Sequence, residues 1–151
     1  PDSLSSINES GLSPIISGRF ALVVDDAGFN IQVHSDYLRR LGIKNVEHAD
    51  NGLKAYELYV AHVEQNIPFC TILMDLDMPI MDGKEATRKI RAYEAEHGLL
   101  PSNIIIVSGN WAENDLKQCT DLNGDIKANY FLKKPMRIED LYAIMCPDRI
   151  L

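Results

Sequence analysis

The groups best suited to chemistry in this chain are acids that follow apolar runs. Residues 71–83 read "TILMDLDMPIMDG", so Asp75 and Asp77 follow four largely apolar residues before Pro79 and Gly83 break the pattern. A buried carboxylate is costly unless a cation or hydrogen-bond donors meet it. Both acids are therefore expected at the rim of the fold, where the run ends, with a cation nearby. A second acidic pair, Asp25 and Asp26, ends "FALVV" (20–24); Ser108 ends "NIIIVS" (103–108), and Lys134 follows "ANYFLK" (128–133). Together these groups suit a phosphoryl group and a hard cation. Mg2+ takes oxygen ligands, usually one or two carboxylates plus phosphate oxygens. Three clustered carboxylates repel one another, so Asp25, Asp26 and Asp75 predict a metal. A carboxylate can also accept a phosphoryl group, with Lys134 and the Ser108 hydroxyl meeting its oxygens. Taken singly, an Asp–Asp pair or a Ser–Gly step is more often a turn; the combination at four strand ends carries the reading.

Elements that could bring these groups together alternate along the chain. Short apolar runs predict strands over 20–24, 44–50, 69–74, 103–108 and 128–133. Between and after them, amphipathic stretches predict helices over 30–42, 52–66, 84–98, 112–122 and 137–145. The first helix places Ile31, Ser35, Leu38 and Leu41 on one face and closes on Gly42; the second places Leu53, Tyr56, Val60 and Val63 on its inner face. In the third, "RKIRAYEAEHG" reads as a solvated face. Five strands alternating with five helices imply an α/β fold, a parallel sheet with helices on both faces. Ligands of such sheets bind outside the carboxyl ends of the strands. That is where the acids, Ser108 and Lys134 fall.

Size and composition set the remaining bounds. A chain of 151 residues with 46% hydrophobic content fits one domain with an ordinary core. The net charge of −7 argues against a nucleic-acid partner. No apolar stretch is long enough to span a membrane and no signal-peptide pattern opens the chain, so direct membrane contact is not expected. Cys70, Cys119 and Cys146 lack metal or disulfide spacing and read as reduced thiols of a cytoplasmic protein. His34, His48, His62 and His97 show no metal spacing either, and Trp111 suits packing or a partner-facing spot. Residues 1–18 have the composition of a Ser-rich linker or tail, leaving residues 19–151 as the folded domain.

In order, "LVVDD", "ILMDLDMPIMDG", "IIIVSGN" and "YFLKKP" closely resemble the receiver domain of two-component response regulators. The resemblance covers roughly residues 19 to 146 and implies the flavodoxin-like (βα)5 receiver fold. It implies Asp75 as phosphoacceptor and Asp25, Asp26, Asp75 and the backbone carbonyl of Asp77 as ligands of Mg2+, with Mn2+ an acceptable substitute. It implies Lys134 as the catalytic lysine, Ser108 as the switch hydroxyl and Phe131 as the switch aromatic. The implied partner is a histidine kinase or a histidine phosphotransfer domain, which hands a phosphoryl group to Asp75.

Three features depart from the family pattern. The span from Ser108 to Lys134 is a few residues longer than expected, with the surplus in "TDLNGDIKAN". Asp77 is an acid two positions past the phosphoacceptor and, with Asn110, suits a role in phosphate lifetime. Phe131 lacks the hydroxyl of the common Tyr. The Ser-rich lead, the absent initial Met and the abrupt end favour a receiver excised from a hybrid histidine kinase, whose parent could be membrane-anchored, over a stand-alone protein. One rival is a degenerate receiver acting as a docking module, which the complete set of acids, Ser108 and Lys134 opposes. Another is a haloacid-dehalogenase-type phosphatase, which has Thr or Val where Pro79 stands and carries its second acidic pair downstream.

Overall fold

The computed structural model describes residues 19–109 and 112–145. The expected Ser-rich lead over 1–18, Asn110, Trp111 and Cys146 lie outside those residues. Five strands run in chain order as β1 (Phe20–Val24), β2 (Asn45–Ala49), β3 (Phe69–Met74), β4 (Asn103–Ser108) and β5 (Tyr130–Lys133). They alternate with helices α1 (Gly28–Arg40), α2 (Gly52–Glu64), α3 (Gly83–His97), α4 (Glu113–Thr120) and α5 (Ile138–Met145). The strands form one parallel sheet in the order β2-β1-β3-β4-β5.

Period-two alternation divides the strand side chains between two cores. Leu22, Val24, Ile72, Met74, Ile104, Ile106 and Phe131 pack on one face against Ala55 and Tyr59 of α2, Ala86 and Ile90 of α3, and Cys119 of α4. Ala21, Val23, Leu73, Ile105 and Val107 pack on the other against Leu38 of α1 and Leu141 of α5. Each fully buried Leu or Ile contributes roughly 1.5–3 kcal/mol. This two-sided burial is why the strands read as unbroken apolar runs.

Boundaries shift by a residue or two from expectation, most visibly where β5 begins at Tyr130. Helix α1 stops at Arg40, and Gly42 takes a positive φ of 110° just beyond it, while Gly98 closes α3 at φ 62°. Two readings of helix faces need correction. The inner line of α2 is Ala55, Tyr59 and His62, and Leu53 is exposed, because the helix is rotated by about one residue from the expected face. The charged stretch of α3 is not simply solvated. Glu94 is buried, accepting hydrogen bonds from Tyr59 Oη (3.0 Å), the Ser102 N–H (2.8 Å) and Arg91 (2.8 Å). Arg91 also donates to the carbonyls of Ser102 and Lys127 and to Asn129 Oδ1, so buried charge is paired and bonded throughout.

At the foot of the sheet, away from the strand carboxyl ends, Arg19 lies beside Ile144 and Met145 around one hollow. At the opposite rim, the loop leaving β3 is held tightly. The Gly83 N–H donates to the Leu76 carbonyl (2.9 Å), and the Gly52 N–H donates to the Met81 carbonyl (2.8 Å). A Cβ on Gly83 would lie 2.0 Å from the Asp75 carbonyl oxygen, with backbone on that side. Gly83→Ala is therefore expected to cost about 1–3 kcal/mol, seen as a lower melting temperature. Gly28→Ala, with nothing within 4 Å of its Cβ, should leave the transition nearly unmoved.

Candidate active site at the strand carboxyl ends

Parallel strands deliver the acids. Asp25 follows Val24 at the end of β1, and its N–H continues the ladder to the Ala49 carbonyl (3.1 Å). Asp75 follows Met74 on the adjacent β3, with its N–H on the Val24 carbonyl (3.0 Å). Their backbones are thus fixed side by side before any side-chain contact is made. One carboxylate oxygen from each of Asp25, Asp26 and Asp75 lies within 4.8 Å of the others. Asp25 and Asp75 are almost fully enclosed, whereas Asp26 faces outward.

Lys134 reaches into this cluster from just beyond β5. Its ammonium donates to Asp25 Oδ2 at 2.7 Å and to Asp75 Oδ1 at 3.2 Å. The Lys134 N–H donates to the Ser108 carbonyl at 2.8 Å, which puts the end of β4 alongside it. Lys133, still within the strand, is exposed, as alternation requires. Ser108 is fully buried and Phe131 is packed in the sheet core. Asp77 is exposed in the loop before α3. Asp25, Asp26, Asp75 and Lys134 therefore converge, with the Ser108 backbone beside Lys134, while Asp77 is not one of the three clustered acids and Phe131 belongs to the core of one sheet face.

Several contributors carry no sequence signal of their own. The Ala27 N–H donates to Asp25 Oδ1 (2.9 Å) and Asn30 Nδ2 approaches the same oxygen (3.4 Å), both set by the turn into α1. Buried His34 lies within electrostatic reach of Asp25 and Lys134, and burial holds its pKa below the ordinary value despite the Asp25 charge. Only the winding of α1 brings it there.

Electrostatics reflect crowding of like charge. Burial and the neighbouring Asp25 carboxylate push the Asp75 pKa up to about 6, against the opposing pull of Lys134. Burial would lower the Lys134 pKa, but its bonds to Asp25 and Asp75 hold it above the ordinary lysine value. Cys70 and Cys119 are free thiols, and burial pushes the pKa of each upward. Among the described residues no helix is long and apolar enough to cross a membrane.

The profile of the response regulator receiver domain matches residues 21–145, and the chain belongs to that family, the receivers of two-component signalling. It is 36% identical over 125 residues to two-component response regulator 24 of Arabidopsis thaliana, covering 83% of this chain and 80% of that protein. It is 35% identical over 129 residues to the peroxide stress-activated histidine kinase mak1 of Schizosaccharomyces pombe, covering 85% of this chain but only 7% of the kinase. Among solved structures, the receiver domain of the A. thaliana histidine kinase CKI1, complexed with Mg2+ and BeF3−, superimposes with a TM-score of 0.70 at 32% identity, covering 89% of this chain and 93% of that one.

In the metal-free protein the Asp75 carboxyl should titrate near 6, observable by carbon-detected NMR. Asp25→Asn should lower that value and Lys134→Met should raise it. Because the folded-state value exceeds the ordinary 3.8, the folded chain binds more protons across that window. The Asp75 contribution to stability is thus fully present below it and is lost as pH rises through about 6.

Proposed function

We propose that this receiver takes a phosphoryl group from a phosphohistidine onto Asp75 in a Mg2+-dependent reaction and changes conformation in response. The observation that carries the reading is the Lys134 ammonium bridging Asp25 and Asp75 at 2.7 and 3.2 Å, with Asp26 in the same acidic cluster. The donor set fits a hard cation. It offers several carboxylate oxygens at a half-open rim, where one ammonium is too little to balance three acids. Asp25, Asp26, Asp75 and the Asp77 carbonyl would hold Mg2+, and Mn2+ would be accepted by the same oxygen donors. When bound, the cation neutralises phosphoryl oxygens as they approach the acids.

Asp75 supplies the attacking carboxylate oxygen. Its bond to phosphorus forms as the phosphorus–nitrogen bond of the phosphohistidine breaks, and the imidazole leaves with the bonding pair. Lys134 exchanges part of its contact with Asp75 for a phosphoryl oxygen, remaining anchored on Asp25. Ser108, at the end of β4, turns its hydroxyl to the new group, and Phe131 responds beneath it. The equilibrium between two arrangements is biased rather than a new fold made. The donor is a histidine kinase or a phosphotransfer domain, in keeping with the histidine kinases among the chain's relatives.

Intact mass after incubation with acetyl phosphate and Mg2+ tests this directly. The expected result is one phosphoryl adduct, absent with EDTA and absent in Asp75→Asn. Lys134→Ala should slow its formation by roughly a hundredfold or more. If neither acetyl phosphate nor a phosphorylated phosphotransfer domain gives an adduct, the phosphotransfer reading falls and a docking role replaces it.

A further inference from the structure

The loop that carries Asp75 and the helix that follows Ser108 belong to different βα units, yet one side chain joins them. Lys84 is the second residue of α3, directly after Gly83, whose backbone packs against the Asp75 carbonyl. Its ammonium reaches across to α4, contacting Asp115 Oδ1 at 2.5 Å and Gln118 Oε1 at 2.9 Å. The ion pair is partly shielded, with the Lys84 and Asp115 side chains 24% and 30% exposed. Asp115 also sits in the first turn of α4, where negative charge is favoured by the helix dipole.

Below this contact the same face of α3 continues to grip the chain that leads from α4 into β5. Arg88 pairs with Asp125 at 3.1 Å, and Arg91 holds the Lys127 carbonyl and Asn129. Asp125, Lys127 and Asn129 all lie in the stretch longer than the family pattern. Lys84, Arg88 and Arg91 follow one another at helical spacing. Of the three, Lys84 stands nearest Asp75 in the chain, and it reaches the helix that follows Ser108.

We propose that Lys84 is a positioning residue for the phosphoryl-binding state, acting through Asp115 to hold α4, and with it the Ser108 end of β4, at a fixed distance from the Asp75 loop. This rests on the phosphotransfer reading above. The physical argument is preorganisation. A phosphoryl group on Asp75 must be met at once from the β3–α3 side and from Ser108 at the end of β4, and fixing the distance between those two flanks beforehand lowers the cost of binding it. The three carboxylates that would hold a cation come from the ends of β1 and β3. The Asp77 carbonyl lies in a loop fixed by its own backbone bonds, Gly83 N–H to Leu76 and Gly52 N–H to Met81, so none of them depends on the Lys84–Asp115 link. Loss of that link should therefore weaken binding of a phosphoryl mimic while leaving cation affinity alone.

The test is calorimetric titration of the whole chain, first with Mg2+ and then with beryllofluoride in saturating Mg2+. It compares wild type, Lys84→Met, Asp115→Asn and the double variant. Each single variant should bind beryllofluoride about three- to tenfold more weakly, with Mg2+ affinity unchanged within twofold. The double variant should be no weaker than either single one, because the same link is lost once. Unchanged beryllofluoride affinity, whatever happens to melting temperature, would make the contact merely structural and overturn the proposal. So would fully additive losses, or a parallel loss of Mg2+ affinity. Failure of the wild type itself to bind beryllofluoride would instead bring down the phosphotransfer reading.

Discussion

Crowded negative charge at the carboxyl edge of the sheet is the constraint on which the rest of this structure depends. Parallel strands β1 and β3 are neighbours, so the acids that end them are forced together by the backbone ladder. Burial then removes much of the water that would screen them. Such an arrangement survives only with cationic help, and Lys134 supplies part of it. The remaining imbalance gives the site its chemistry. A carboxylate held above its ordinary pKa, beside two more acids and an ammonium, suits the cation and the anionic electrophile of the proposed reaction.

Support for that rim comes from the second row of interactions. The β3–α3 loop is pinned to α2 by the Gly52–Met81 bond and is closed on itself by the Gly83–Leu76 bond. Asp82 caps α3 by accepting the Glu85 N–H at 2.9 Å. Two of these are backbone-to-backbone bonds and the third a side-chain cap, and together they leave little freedom to the segment following Asp75. On the other side, the Lys84 side chain ties α3 to Asp115 and Gln118 of α4, and Arg88 ties it to Asp125 beyond α4. Side-chain links are easier to make and break than ladder bonds, so the two flanks of the site differ in stiffness.

The fold was largely legible in the chain because both faces of a parallel sheet are buried, so its strands stand out as apolar runs. The ends of β1, β3 and β4 could be placed from Asp25, Asp75 and Ser108 themselves. The start of β5 was harder, since Ala128 is buried in the preceding loop and imitates a strand residue. On α2, Tyr56, Val60 and Val63 pack at the border of the core while Ala55 and His62 take its centre, and hydrophobicity alone cannot rank an alanine above a leucine. Charged residues were the least readable. Arg91 and Glu94 look like surface residues until their partners at Tyr59, Ser102 and Asn129 are known, and those partners are distant in the chain. Lys84 gives no hint of Asp115 for the same reason.

The hollow shared by Arg19, Ile144 and Met145 has an architectural meaning. The folded unit is entered and left at one end, and the acidic rim is at the other. Strands β1, β3 and β4 begin beside this hollow and run from it toward the acids, so Arg19 and Met145, the first and last described residues, stand a full strand length from the acidic rim. One end of the sheet thus carries the chain's comings and goings and the other its acids, so a pull on the termini and a charge change at the rim load opposite ends of the same strands.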